Sequence, residues 1–193
     1  LAILLTTVLV IVFLLQNNNY SDKKEYLKLF PELDEKIDNI SKIEVINSDS
    51  SIHLLKKDNE WNLPSYNNYP VAQKKINNFL LNIVSLKTVD KKTNNPENHK
   101  KLGLSLPIAE GSNRFRIFDN NKELLADFII GKKSNQNESL SYIRNISSSV
   151  TWLFKNDIKF FNTELNWSEE SILRIARWRI KSVKIQSMDN KDK

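Results

Sequence analysis

Acid–base or nucleophilic catalysis needs a base within reach of its partner on rigid elements, and few side chains of this sequence qualify. Asp90, Asp119, Asp127 and Glu138 fall in turns or at strand ends with no companion motif, and His99 sits in the polar stretch "NNPENHKK". His53 and His99 lie 46 positions apart, with no H-x-x-x-H pairing to place two ligands on one helix face. There is no cysteine, which removes disulfides, thiolate metal sites and a thiol nucleophile together. The three glycines form neither a G-x-G-x-x-G nor a Walker arrangement, so no loop is built to cradle phosphate. The reading is therefore of a protein without a catalytic group, a metal or a cofactor.

Charge supplies the more specific candidates. The net charge is +6, but Arg174 to Lys193 alone carry +5, leaving 22 basic and 21 acidic residues elsewhere. That is not the evenly basic surface of a nucleic-acid binder. If Ser168 to Lys181 were helical, Ile172, Ala176 and Ile180 would share one face, with Arg174, Arg177 and Lys181 lining the other. Such a helix could lie on anionic lipid or on a partner; the competing reading is the solvated outer face of a repeat. Arg144, in "SYIRN", is the charged strand residue least explained by packing, which makes it either a ligand contact or an exposed cross-strand arginine.

The elements that would position these residues follow from hydropathy. A chain of 193 residues, 40% hydrophobic and 27% charged, can hold one ordinary domain plus a membrane anchor. "LAILLTTVLVIVFLL", Leu1 to Leu15, has no charge. As a helix it would reach roughly 22 Å of the roughly 30 Å hydrocarbon core, so it reads as a truncated transmembrane anchor ending near Gln16. A cleaved signal or a buried core helix are the alternatives, and the orientation is left open with one flank lost. Residues 17–39 read as a tether and a short amphipathic piece with Phe30 and Leu33 as its apolar contacts.

From residue 40 the pattern turns to period two: Ile43 and Val45, then Ile52 and Leu54, then Trp61 and Leu63, separated by "SDS" and "DNEW" turns. Val71, Ile76, Phe79, Leu80, Ile83 and Val84 fall at helical spacings, predicting a helix packed over this meander. "NRFRIFD", "KELLADFIIG", "SYIRNIS" and "VTWLF" form a second strand series. "KNDIKFF" reads as a short helix, and Asn166 with Glu169 as the capping box of another. The class is α+β, with antiparallel meanders, helices packed on the sheet and the unit repeated. Residues 40–180 form the domain, and 181–193 the start of a second copy. Aligning Ile180 with Ile40 pairs Val183 with Ile43 and Ile185 with Val45, so strand parity recurs.

"NEW", "HKKLGLSLP", "IIGKK", "YIR", "VTWLF" and "NWSEESIL", in this order and spacing, resemble the bacterial membrane-anchored family known as domain of unknown function 4340. The family pattern carries an aromatic ahead of the glycine of "LGL", where this chain has Lys101. The resemblance implies a single-pass protein of the bacterial inner membrane with a large extracytoplasmic portion, often encoded beside gliding-motility-type ABC transporter components. Transporter components are accordingly the implied partners. The implied role is that of a non-enzymatic accessory protein, with an extracytoplasmic binding module for an envelope polymer or small ligand as the alternative. Trp61, Gly103, Leu104, Gly131, Tyr142, Arg144 and Trp152 are the positions shared with the family pattern, and buried aromatics and turn glycines are what a sheet needs there.

Overall fold

The computed structural model describes residues 27–168 together with 181, 182 and 184. Leu1–Leu15, Arg174 and Arg177, the Asn166/Glu169 capping box and the proposed restart at Val183 and Ile185 thus fall wholly or partly outside the described residues. Among the described residues no helix is long and apolar enough to cross a membrane.

Among the described residues nine strands form one antiparallel sheet: β1 (Ile40–Ile46), β2 (Ser51–Lys57), β3 (Glu60–Leu63), β4 (Tyr69–Pro70), β5 (Thr88–Thr93), β6 (Asn113–Asp119), β7 (Leu124–Lys133), β8 (Leu140–Asn145) and β9 (Thr151–Lys155). Their order across the sheet is β4-β3-β2-β1-β6-β7-β8-β9-β5. The two meanders expected from sequence are therefore joined edge to edge at β1 and β6, where Ile43 pairs with Ile117 and Val45 with Phe115. The hairpins follow local chemistry. Asp58 and Asn59, both at positive φ, make the two-residue turn that matches strand twist between β2 and β3. Asn47, Asn137 and Asn145 turn their carboxamide oxygens onto backbone N–H groups two or three residues on. The N-x-S triplets at 137 and 145 are thus turn formers.

Alternation fixes the two faces. Ile43, Val45, Ile52, Leu54, Phe115, Ile117, Phe128 and Ile143 are buried on one face. Onto this face packs α2 (Gln73–Val84), which buries Ile76, Phe79, Leu80, Ile83 and Val84, the stripe its spacing predicts. The helix links β4 to β5, the two edge strands of the sheet, over the core face. α1 (Pro31–Glu35) closes one side: Phe30 lies 4.7 Å from Phe128 between ring centroids, and Leu33 is buried. The remaining cover is residues 156–168, expected in part as a helix. No helix forms over "KNDIKFF". Asn156 instead continues the ladder by donating its N–H to Ser139 O, and the irregular chain beyond it delivers Phe160 and Phe161 to the core margin. Phe160 meets Phe115 edge-on, and Trp167 meets Phe79 and Phe161 edge-on while donating its indole N–H to Phe161 O.

Both sheet edges are met by the flanking chain. Leu29 N–H donates to Leu86 O and Thr88 N–H to Leu27 O, so the end of the expected tether lies against the start of β5. At the opposite edge Val71 bridges Ser168, and Ala72 N–H donates to Trp167 O. Such pairing covers backbone groups that an open edge would expose.

Candidate functional site

The face opposite the core is divided. Over β7, β8 and β9 it is sealed by residues 94–112, which run through a 3-10 turn (Pro96–Asn98) and α3 (His99–Leu102) before returning to β6. Gly103 stops α3 in the left-handed conformation, φ 73°. Gly131 lets this segment lie on β7: a Cβ there would collide with the Leu102 carbonyl and crowd Leu104. Gly131 is thus not a turn glycine but a point of close backbone approach inside the strand. Leu104, Ile129 and Leu153 are buried as a result.

Arg144 holds this seal in place. Its Nε and Nη2 donate to Leu104 O at 3.0 and 2.8 Å, and Nη1 donates to Ile146 O and Ser148 O at 3.4 and 3.2 Å. Rather than the exposed cross-strand arginine that is the commoner case, it is a buried cation, 8% exposed. Burial pulls its pKa down, Asp127 opposes that and Arg114 adds to it. His99, expected in a polar loop, is also buried, with Nε2–H donating to Ser149 O. Sequence reasoning missed both roles because their acceptors are backbone carbonyls 40 and 50 positions away, which carry no residue-type signal.

Over β2, β1 and β6 the same face is open and carries an ordered ladder of charge. Glu44 stands opposite His53 and Arg116 in register. Its Oε1 is 2.7 Å from Lys42 Nζ and its Oε2 is 2.7 Å from Arg116 Nη1, with His53 Nδ1 at 3.7 Å. Burial raises the Glu44 carboxyl pKa, but the Lys42 hydrogen bond and the charges of Lys42, Arg116 and His53 outweigh it, and the net direction is down. Arg116 leads on to Asp127, whose two oxygens take a bidentate pair from Arg114 at 2.8 and 2.6 Å. That pair raises the Arg114 pKa.

Beside the ladder runs a groove of about 770 Å³ across β2, β1 and β6, bordered by Pro64 and Ser65 after β3. Leu55 and Phe118 form its apolar floor with Lys42 between them in register, and Lys57 and Lys122 flank it; Lys56 borders the groove but shares the core-side parity of Ile52 and Leu54. Phe118 has cations over its ring, Lys42 Nζ at 5.1 Å and Arg116 Cζ at 4.9 Å from the centroid. The groove's one carboxylate, Asp119, is turned to the backbone, accepting from Asn121 and Glu123 N–H.

The other candidates are dispersed. Asp127 is spent on Arg114, Asp90 lies 3.6 Å from Lys92 on β5, and Glu138 is exposed in the β7–β8 turn. Lys181 is exposed and in no strand or helix. Among the described residues no group of three or more metal-ligating side chains converges. Of the expected buried tryptophans, Trp61 is in the core and Trp152 only packs against its edge; Trp167, which was not singled out, is fully buried.

No curated protein and no solved structure matches the chain. A family model does match, over residues 61–193, from β3 to the end of the sequence. The chain belongs to that family, described as domain of unknown function DUF4340.

Proposed function

We propose that this chain is a non-enzymatic accessory protein whose folded unit contacts a partner through the open half of its outer sheet face. Leu1–Leu15 anchors it in the bacterial inner membrane, the folded unit lies on the extracytoplasmic side, and the partners are components of an ABC transporter. The anchor and the transporter rest on the apolar run and on the resemblance in the sequence. The contact surface rests on one observation: the chain spends residues 94–112 and a buried arginine on sealing half of the face, and leaves the other half uncovered with its charges already held in place. Side chains fixed before binding lose little freedom on contact, which favours recognition. A polymer or small-ligand module is the weaker reading, because the groove's one aromatic ring already has two cations against it.

The absence of cysteine makes a direct test practical. Leu55→Cys places a unique thiol on the groove floor, and Leu81→Cys places one on the exposed side of α2. A bulky maleimide at position 55 is expected to abolish co-purification of transporter components from detergent-solubilised membranes, and the same group at 81 to leave it intact. Equal recovery with both would overturn the proposed surface.

A further inference from the structure

We infer that the groove beside Leu55 and Phe118 takes an acidic peptide segment of the partner, one in which carboxylates flank apolar side chains. This rests on the proposed contact surface and specifies its chemistry. Lys57 and Lys122 are exposed and have no ion pair among the described residues, whereas Lys56 has the core-side parity and adds no charge to the groove. Lys42, which stands between Leu55 and Phe118, is paired with Glu44. Asp119 is turned to its own backbone and pairs with neither lysine, so Lys57 and Lys122 offer unpaired cations beside an apolar floor.

The two sides of that arrangement select the occupant. Leu55 stands about 10 Å from Phe118 across β2, β1 and β6, room for about three residues of extended chain. Apolar side chains would cover Leu55 and the exposed edge of Phe118, while flanking carboxylates meet lysines whose stems let the ammonium groups reach above the floor. A bilayer surface is flat and cannot enter a groove. A glycan would need an aromatic face, and the Phe118 ring is engaged by Lys42 and Arg116. A peptide with both chemistries fits where either alone would leave half the site unmatched.

The test uses the full chain in non-ionic detergent and a fluorescent twelve-residue peptide alternating Glu with Leu or Phe. Saturable binding is expected, weakening as salt rises. It should fall about tenfold in the double variant Lys57→Glu/Lys122→Glu and about fivefold in Leu55→Ser; tenfold corresponds to about 1.4 kcal/mol. A Glu/Ser peptide of equal charge should bind at least about fivefold more weakly. Thermal melts of the variants confirm folding, since the two lysines are exposed. Absence of saturable binding, unchanged affinity in the double variant, or equal binding of the Glu/Ser peptide would each overturn the inference. So would capture of anionic phosphatidylglycerol vesicles that depends on Lys57 and Lys122 while the peptide fails. If the peptide fails but a maleimide at position 55 still blocks the partner, only this inference falls; if the maleimide has no effect, the contact surface itself falls.

Discussion

Replacing Arg144 with methionine separates an arginine that holds the fold from one that holds a ligand. The guanidinium makes two short hydrogen bonds to Leu104 O and two longer ones to Ile146 O and Ser148 O. Methionine keeps much of the volume and removes a cation whose burial is unfavourable, which offsets part of the loss. The carbonyls at 146 and 148 lie on a half-exposed turn and can take water instead. Leu104 is fully buried and its carbonyl cannot, at a cost of about 1 to 3 kcal/mol for an unsatisfied group. The net expectation is a loss of about 2 kcal/mol, or a Tm lower by about 4 to 8 °C for a domain of this size. Arg144→Lys keeps one donor for Leu104 O and should fall between the two. Circular dichroism melts measure the effect, and amide exchange should quicken in residues 99–112 before the core strands. If Arg144→Met melts within about 1 °C of the parent while partner recovery is lost, the arginine is a binding residue and the reasoning about the seal is wrong.

Other consequences are open to measurement in the same way. Trp61→Ala and Trp167→Ala should each cost about 3 to 5 kcal/mol in urea denaturation, and Trp152→Ala distinctly less because its ring lies at the core edge. Gly131→Ala should cost about 2 to 3 kcal/mol, since the obstacle to a Cβ is the Leu102 backbone, which cannot rotate away; a neutral result would mean that the 94–112 segment lifts easily. The Glu44 carboxyl is held below its usual 4.5, so its stabilisation is present above that pH and is lost as pH falls through the folded value. Glu44→Gln should therefore flatten the acid limb of the stability profile below about pH 4.5, and identical limbs would show that the ladder contributes nothing.

Much of the strand content was legible because alternation is a local signal. Phe115 and Ile117 face the core for the same reason that Arg114 and Arg116 face away, and that parity can be read residue by residue. The helix over 73–84 was equally plain from its stripe. What the sequence did not reveal was non-local. Nothing in "KTVDKKT" says that β5 crosses to the far edge and pairs with β9, since six polar or half-buried residues carry no register. "KNDIKFF" has Ile158 and Phe161 three apart, as a helix would, yet the ladder bond from Asn156 and the two phenylalanines at the core margin hold it out of a helix. The candidate groove was hidden for the same reason. Leu55, Phe118 and Lys122 are unremarkable singly and become one surface only once β1 is placed between β2 and β6.

Site-specific photo-crosslinking in intact membranes tests the central claim most directly. A benzophenone attached through Leu55→Cys is compared with one attached through Leu81→Cys or Leu106→Cys, both exposed but away from the groove. The account predicts one discrete adduct from position 55, lost when Lys57→Glu and Lys122→Glu are added, and none from 81 or 106. Adducts of equal yield from all three positions, or from 81 or 106 alone, would contradict it.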